Sequence, residues 1–371
     1  MLFFIVFFSI YLSMHIFVWF RFVRQLTPVR KTVILGYILC MAMALTPLLA
    51  HQLPLTLPEI LVYSFWQITF TWLAVIFYLF VFQAITLMLQ IIMWPFIRKI
   101  WPELSSRVAV GIIASCILVV GYGFFEASKP LKTVNYEFES QKIKHDIRLI
   151  FISDLHLGVQ KSSNRLKKLI ETVEKHEADL IIFGGDVVND HLEWMDDEAL
   201  QLSRLTVPYD KHGVLGNHEF YPGLDKSIEL FEQAGINILD NKNRLIEKFN
   251  LNLVGVTDPT PYLNPREHQE FVIMKLLENI DTEQYNILIS HRPWGFEHAA
   301  QAGIDLHLSG HTHNGQIFPF RYFVRMQFDH VYGLYEKGKS KLIVSCGAGS
   351  WGPPIRVFSP AEILIVDIIS R

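Results

Sequence analysis

The chain has few cysteines and few charged residues, and each shortage excludes a class of protein. Three of its 371 residues are cysteine, and only Cys346 lies beyond residue 125. That part of the chain therefore cannot be a disulfide-stapled scaffold or hold a Cys-x-x-Cys metal site. Charged residues make up 19% of the chain, against about 25% in an average soluble protein. A disordered chain is also excluded, because 51% of the residues are hydrophobic.

The shortage of charge is confined to the first third of the chain. Residues 1–125 carry only nine charged side chains, seven basic and two acidic, whereas the remainder has an ordinary charged fraction and a net charge of −8. We therefore predict a transmembrane segment over 1–125, a linker over 126–145 and a soluble domain over 146–371. Because the soluble part is acidic, we predict that it has no nucleic-acid partner.

Four apolar runs are long enough to cross a bilayer as helices, at 2–20, 32–50, 60–81 and 108–125. The third run stays apolar to residue 94 without glycine or proline, so we predict one long helix; two spans joined by a hairpin are the alternative. No basic residue precedes the first run, so a cleaved signal peptide fits poorly. These runs predict a multi-pass protein of the cell membrane.

The basic residues near the spans predict the orientation. Four lie between the first two runs and three between the last two, whereas none lies between the second and third. Because basic loops remain in the cytoplasm, the soluble domain is expected on the extracytoplasmic side. A fifth span would reverse this assignment. The apolar runs themselves contain no charged residue, which favours a membrane anchor over a transport pathway.

The soluble part alternates short β-rich runs with helical stretches, which indicates a layered α/β domain. The predicted strands cover 148–153, 180–183, 213–215, 236–239, 251–256, 287–290, 306–309, 342–345 and 363–368. The predicted helices cover 164–175, 224–234, 267–278 and 296–302.

Polar residues follow five of these strands, where the loops of an α/β sheet form a ligand crevice. Seven potential metal ligands with nitrogen or oxygen donors exceed what one ion can use, but two divalent ions sharing a carboxylate would use them all. In an extended segment, residues two apart point the same way, so the D-x-H and H-x-H pairs could each converge. The motifs are Asp154-Leu155-His156, Gly185-Asp186, Gly216-Asn217-His218-Glu219, His291 and Gly310-His311-Thr312-His313.

These blocks, in this order over about 146–371, resemble the calcineurin-like metallophosphoesterase superfamily. The segment 309–316 and the tail 355–362 resemble its bacterial membrane-associated branch. The resemblance implies a four-layer αββα sandwich with a dinuclear site of divalent metals, drawn from Mn, Fe, Zn, Ni or Co, with Mn favoured. It implies a catalytic role for His218 and a bridging role for Asp186. One metal would be held by Asp154, His156, Asp186 and His313, and the other by Asp186, Asn217, His291 and His311.

The sequence therefore predicts a membrane-anchored phosphohydrolase, with a phosphodiesterase favoured. A metal-bridging hydroxide would attack the phosphorus while His218 protonates the leaving group. The anchor suggests a lipid-linked phosphate or pyrophosphate as substrate. The alternatives are a non-catalytic metal-binding scaffold or sensor, and a transporter with an accessory domain. Asn189-Asp190 stands where many members carry an arginine, which leaves substrate choice open.

Four further residues near the motifs have more than one interpretation. Arg292 could contact a phosphate oxygen. Trp294 and Trp351 could line the crevice for an apolar substrate, although packing beside it is favoured. Glu219 is expected to support the metal ligands without being one.

Overall fold

The computed structural model describes residues 2–50, 52–53, 56–158, 163–189, 192 and 195–371. The chain divides into two compact units. One comprises Met1–Glu126 with Gly352–Ile355, and the other comprises Ala127–Trp351 with Arg356–Arg371.

Among the described residues, four helices are long and apolar enough to cross a bilayer. The third has 39 residues without interruption, which confirms one long helix in place of a hairpin. Large apolar side chains such as Ile91 and Leu118 face outward, as expected of a surface that contacts lipid. The helices are α1 (Leu2–Leu26), α2 (Arg30–Ala50), α3 (Glu59–Ile97) and α4 (Trp101–Ser128).

The first cluster of basic residues lies in helices, not in the loop where we had placed it. Arg21 and Arg24 belong to α1, while Arg30 and Lys31 begin α2. The Arg21 side chain is only 8% exposed. α1 can continue through this charge because side-chain amides of α3 accept its hydrogen bonds, which removes the cost of an unpaired polar group.

The second unit contains the twelve strands and six further helices of the described residues. Its strands are β1 (Lys132–Ser140), β2 (Ile147–Ile152), β3 (Leu180–Phe183), β4 (Lys211–Gly213), β5 (Ile236–Ile238), β6 (Lys242–Ile246), β7 (Leu251–Val256), β8 (Tyr285–Ser290), β9 (Leu306–Ser309), β10 (Gly333–Lys337), β11 (Ser340–Val344) and β12 (Glu362–Ser370). Its helices are α5 (Ser163–Glu174), α6 (Asp196–Ser203), α7 (Leu224–Gln233), α8 (Pro265–Leu277), α9 (Phe296–Ala302) and α10 (Arg321–Val324).

These strands form two six-stranded sheets. The first has the order β1-β12-β2-β3-β4-β5, with β2 to β5 parallel and β12 antiparallel to β2. The second has the order β10-β11-β9-β8-β7-β6, with its four central strands parallel and both edge strands antiparallel. The carboxyl ends of the parallel strands carry the motif residues of each sheet.

Alternation along the strands builds the layers. In β2, Leu149 and Phe151 pack with residues of the second sheet, whereas Ile150 and Ile152 pack with residues of α5, α6 and α7. The outer face of the second sheet packs on α8 and α9. The soluble unit is therefore a four-layer αββα sandwich, which confirms the predicted fold class.

Part of the predicted linker belongs to the first sheet. β1 pairs in parallel with β12 along nine residues, inside the 126–145 stretch. The edge strands β6 and β10 were also missed. β1 and β6 have mostly polar sequences, and β10 ends in two charged residues. An edge strand buries little, and its charges keep it from pairing with other chains.

Candidate metal centre

Loops after β2, β3 and β4 deliver the motif residues of the first sheet. Asp154 and His156 follow β2, Asp186 follows β3, and Asn217 with His218 follows β4. All five side chains are buried, at most 6% exposed.

Loops of the second sheet deliver the remaining predicted ligands. His291 immediately follows β8, while His311 and His313 follow β9. The N–H of His311 donates to both carboxylate oxygens of Asp154, at 3.1 Å each. This contact joins the loop after β9 to the loop after β2, so the two sheets contribute to a single cluster.

One set of donor atoms is formed by Asp154, His156 and His313, whose ligand atoms all lie within 4.8 Å of one another. The Nε2 atoms of the two imidazoles are 3.0 Å apart. His313 Nε2 lies 3.3 Å from Asp154 Oδ1. Two imidazole nitrogens and a carboxylate converging in a buried space are the donor set of a divalent transition metal.

A second set is formed by Asp186, His291 and His311, within the same 4.8 Å limit. His291 Nε2 lies 3.1 Å from Asp186 Oδ2 and 3.1 Å from His311 Nδ1. Asp186 Oδ2 is also 3.8 Å from His156 Nε2, which belongs to the first set. The Asp186 carboxylate thus lies between the two sets.

Asn217 adds an unsatisfied oxygen to the cluster. Its amide nitrogen donates to the Tyr221 hydroxyl at 3.2 Å, but its buried Oδ1 has no hydrogen-bond partner among the described residues. The next backbone N–H, of His218, donates to Asp186 Oδ1 at 2.8 Å, which places Asn217 beside the shared carboxylate. A buried amide oxygen without a donor is costly unless a cation or water satisfies it. This orphan oxygen and the convergent imidazoles fit a metal centre.

The ligand loops have left-handed backbone conformations, not the extended one on which we based the D-x-H and H-x-H argument. The backbone φ angle is 55° at Asp154, 49° at His156, 51° at Asp186, 67° at His311 and 48° at His313. Non-glycine residues seldom adopt such angles, and clusters of them occur at functional sites. The paired side chains converge because the chain turns sharply at each ligand. Asn314, at φ 50°, likewise adopts this region, which asparagine tolerates well.

Two glycines allow the loops to approach the carboxylates. A Cβ atom on Gly216 would lie 2.2 Å from Asp186 Oδ1, and one on Gly310 would lie 2.3 Å from Asp154 Oδ2. Both distances are far inside van der Waals contact. Any side chain at either position would displace a carboxylate of the cluster.

Burial and mutual charge shift the pKa values of the cluster. Burial alone would raise the pKa of Asp186, but the surrounding imidazoles, His291 first among them, hold it well below its usual range. His291 shows the reciprocal effect: burial lowers its pKa, yet the Asp186 carboxylate raises it to about 10. The carboxylate therefore stays ionised and available as an anionic ligand.

Two other histidines are held neutral. Burial and the charge of His218 hold the pKa of His156 well below its usual value, although the Asp186 carboxylate acts in the opposite direction. Burial and the Arg292 guanidinium do the same for His311. A neutral imidazole offers a lone pair, which is the form that binds a metal ion.

His218 lies at the edge of the cluster. Its Nδ1 is 3.0 Å from the backbone carbonyl oxygen of Asn189, so this nitrogen carries a proton and donates it. Its Nε2 faces the cluster, 4.0 Å from Asp186 Oδ2. The ring also forms an edge contact with His156, with centroids 4.5 Å apart. The nitrogen that faces the site can thus accept or deliver a proton.

Glu219 supports the cluster, as we expected from its position beside His218. Its carboxylate accepts the backbone N–H groups of Asp186, Val188 and Gly216 at 2.6 to 3.1 Å. Burial and the Asp186 charge raise the pKa of Glu219 to about 8, while two of these N–H donors act in the opposite direction. Glu219 therefore orders the loops after β3 and β4.

Sequence reasoning did not find the role of Arg356. This side chain is fully buried and donates to the carbonyl oxygens of Cys346, Gly347, Gly349 and Ser359. It also lies 3.4 Å from His313 Nδ1. Arg356 braces the loop behind His313. The only signal in the sequence was its place in the tail that resembles the membrane-associated branch.

The open interpretations of Arg292 and the two tryptophans now have structural answers. Arg292 pairs with the Asp258 carboxylate through Nε at 2.6 Å. Trp294 is 6% exposed and stacks on Phe328, so it packs inside the domain. Trp351 is 46% exposed, with its ring centroid 6.5 Å from that of His218. The sequence has Asn189-Asp190 where an arginine could bind phosphate, and Asp190 lies outside the described residues.

Known proteins share this domain. Residues 147–315 match the family model for calcineurin-like phosphoesterases. An uncharacterised metallophosphoesterase of Aquifex aeolicus is 34% identical over 64% of this chain and 92% of its own length. One from Helicobacter pylori is 31% identical over 69% of each chain. A transmembrane protein with a metallophosphoesterase domain from Danio rerio is 27% identical over 69% of this chain and 61% of its own.

Similarity to solved structures is lower. A 5'-nucleotidase precursor of Thermus thermophilus is 14% identical, with a TM-score of 0.36 over 61% of this chain and 54% of its own. The chain belongs to the calcineurin-like phosphoesterase family, as its relatives and its matching residues show. It is a membrane protein with a phosphoester hydrolase domain, whose clustered side chains suit divalent metals.

Proposed function

We propose that this protein is a membrane-anchored phosphodiesterase with two divalent metal ions in its catalytic site. Residues 1–125 would form the anchor, and 146–371 together with β1 would form the catalytic domain. The observation that carries the proposal is that the two donor sets adjoin, because the Asp186 carboxylate of one set lies 3.8 Å from His156 of the other. A single structural ion would need neither two sets nor a carboxylate shared between them.

The residues have complementary roles in this proposal. Asp154, His156 and His313 would hold one ion, and Asn217, His291 and His311 would hold the other, with Asp186 bridging them. Mn²⁺ is the favoured metal, and nitrogen and oxygen donors without a thiolate are compatible with it. When bound, two such ions neutralise phosphate oxygens and lower the pKa of a coordinated water.

His218 would act as the general acid. Its Nδ1 proton is committed to the Asn189 carbonyl oxygen, which fixes the ring orientation and directs Nε2 toward the cluster. A proton on Nε2 can then pass to the leaving oxygen as the phosphorus–oxygen bond breaks. Glu219 would keep the ligand loops in place during the reaction through its three backbone hydrogen bonds.

The substrate proposed is a phosphodiester or pyrophosphate linked to a lipid. The four apolar helices support this, since an anchor concentrates the site at a membrane. The catalytic domain would lie on the extracytoplasmic side of the cell membrane. In that orientation the basic ends of α1 and α2 and the basic segment between α3 and α4 remain in the cytoplasm.

Metal analysis combined with a hydrolysis assay tests this proposal. The full chain, purified in detergent and equilibrated with Mn²⁺, should contain close to two ions per chain and should hydrolyse phosphodiesters. Chelation should remove both properties, and Mn²⁺ should restore them. Two bound ions without turnover on monoesters, diesters or lipid pyrophosphates would favour the metal-binding sensor. One ion or none in active protein would contradict the dinuclear site.

Protease accessibility tests the orientation. Protease added to cells with a permeabilised outer barrier should cleave the catalytic domain. Cleavage only in inverted membrane vesicles would place the domain in the cytoplasm and contradict the proposed topology, without affecting the proposed chemistry.

A further inference from the structure

Two exposed aromatic rings flank His218. Tyr221 is 61% exposed and Trp351 is 46% exposed, although both lie beside a buried cluster. Their ring centroids are 4.6 Å and 6.5 Å from that of His218, and both rings stand steeply to the imidazole, at 63° and 83°. The His218 imidazole thus contacts two aromatic rings.

Residues of the ligand loops hold the Tyr221 hydroxyl and the backbone of Trp351 by hydrogen bonds. The Tyr221 hydroxyl accepts a hydrogen bond from Asn217 Nδ2. The side chain of Gln316 accepts a hydrogen bond from the backbone N–H of Trp351 at 2.8 Å and donates one to the backbone carbonyl oxygen of Trp351 at 2.9 Å. Gln316 is itself buried, three residues after His313. Two exposed rings thus lie beside His218 on segments that are hydrogen-bonded to the ligand loops, which favours a preorganised binding surface.

We propose that Tyr221 and Trp351 form the leaving-group subsite, and that this subsite selects phosphoesters of apolar alcohols. The inference rests on the proposed function, because it places His218 as the proton donor to the leaving oxygen. The group attached to that oxygen must lie on the His218 side of the site, where the two rings stand. Apolar surface buried against them would contribute binding energy that a polar alcohol cannot obtain. An alkyl chain of a lipid and an aryl group share this chemistry.

Matched pairs of substrates separate the leaving-group effect from the chemical step. Methyl propyl phosphate and methyl octyl phosphate have leaving alkoxides of the same type and differ in apolar length. Methyl phenyl phosphate and methyl 2-naphthyl phosphate form the aryl pair. The full chain in detergent with Mn²⁺ should release the larger alcohol, and its kcat/KM should be higher for the larger member of a pair. A greater preference in the alkyl pair indicates a lipid-like alcohol, and one in the aryl pair indicates an aromatic alcohol.

Substitutions then test the two rings. Trp351→Ala and Tyr221→Ala should each reduce the preference for the larger alcohol by roughly tenfold, the effect of losing about 50 Å² of apolar contact. Trp351→Phe and Tyr221→Phe keep a ring and should retain most of the preference. Phe271→Ala, which removes a ring that is 58% exposed on α8, is the matched control and should leave the preference unchanged. Metal content should stay at the wild-type value in Trp351→Ala.

Two outcomes overturn the inference in distinguishable ways. If the wild-type protein is active but both alanine variants keep its preference, the subsite is wrong and the proposed function stands. If the wild-type protein with bound Mn²⁺ hydrolyses none of the four esters, the proposed function fails and the subsite with it.

Discussion

Each unit of the protein contains a cluster of buried polar side chains, and the two clusters use their hydrogen-bonding capacity differently. In the membrane unit, Gln25 and Gln83 exchange hydrogen bonds at 2.8 and 3.2 Å, and Arg21 donates to Gln83 and Gln90. Ser105 donates to the carbonyl oxygen of Gln25. Amides both donate and accept, so this network satisfies itself.

The cluster in the soluble unit does not satisfy itself. His156 and His313 face each other through like nitrogens 3.0 Å apart, and the Asn217 oxygen has no donor among the described residues. Two carboxylates, Asp154 and Asp186, are buried with them. The comparison teaches that burial of polar groups alone does not indicate a ligand site. An excess of acceptors over donors does, because a bound cation can satisfy several acceptors at once.

The largest effect is expected from substitution of Asp186, the carboxylate that both donor sets approach. Asp186→Asn removes the anion between the two donor sets, so bound Mn²⁺ and hydrolysis should be lost together. Elemental analysis and phosphate release measure both. Asp367→Asn is the matched control, because it removes a carboxylate paired with Arg148 far from the motif loops in sequence. Full metal content in Asp186→Asn would mean that the cluster needs no shared anion.

His218 should separate chemistry from metal binding. His218→Ala should lower kcat by about 10²–10⁴-fold, the usual contribution of a general acid, while metal content stays near the wild-type value. The loss should be larger for an alkoxide leaving group than for nitrophenolate, which leaves without a proton. Equal losses on both esters would reject the acid role, and loss of metal would make His218 a ligand.

A third buried cluster, which lies in the soluble unit, contains the titratable side chain of His307, whose Nδ1 has no hydrogen-bond partner among the described residues. His307 Nε2 lies 2.8 Å from Ser290 Oγ and 3.1 Å from Ser309 Oγ, and burial lowers the pKa of this histidine to about 3. His307 therefore binds a proton near pH 6.5 in the unfolded chain, but only near pH 3 in the folded chain. The free energy of unfolding should therefore decrease as the pH falls from 6.5 to 3, by up to about 1.4 kcal/mol per pH unit from His307.

The His307→Gln variant isolates that contribution. Thermal unfolding of the full chain in detergent, with metal removed, should show a shallower loss of stability on acidification than the wild type. Parallel pH profiles for the two proteins would show that His307 has the same pKa in the folded and the unfolded chain, which would contradict the lowered pKa.

The smallest effect is expected in the membrane network. Gln83→Leu leaves Gln25 and Arg21 without their shared partner, and such contacts contribute on average about 0.6 kcal/mol in membrane bundles. Loss of helicity at increasing SDS concentration measures it, with Gln67→Leu on the same helix as control. Hydrolysis should be unchanged in both variants. A large loss of activity in Gln83→Leu alone would contradict a purely structural role.

The sequence predicted the parts of the protein that rest on burial and on strand ends. The long apolar run of α3 predicted one helix. Apolar strands such as β3 and β7, whose bounds match the prediction, indicated a layered α/β domain, and the family resemblance implied the four-layer sandwich. The residues of the candidate cluster were also predicted, because each follows a buried strand whose end meets the others at one edge of the sheets.

Features that depend on tertiary partners were not predictable in the same way. β1 has no apolar run of its own and is a strand because β12 lies beside it. Arg21 was assigned to a loop because its charge suggested the end of a span, whereas Gln83 and Gln90 allow the helix to continue. The role of Arg356 was not predicted, since its hydrogen bonds are to backbone carbonyls, whose positions depend on how residues 346–359 fold.

The left-handed backbone at the ligand residues lowers the stability of the fold, whereas the side chains at those residues supply the donor atoms that function requires. A left-handed conformation costs a residue with a side chain about 1–2 kcal/mol, and somewhat less for aspartate. Glycine at Asp154, His156 or His313 would relieve that cost while deleting a donor atom. Copies of this chain that drift free of their catalytic task should therefore lose ligands at these positions first, since each loss makes the fold easier to maintain. Retention of every ligand in a lineage is then a sign of continuing demand for the site.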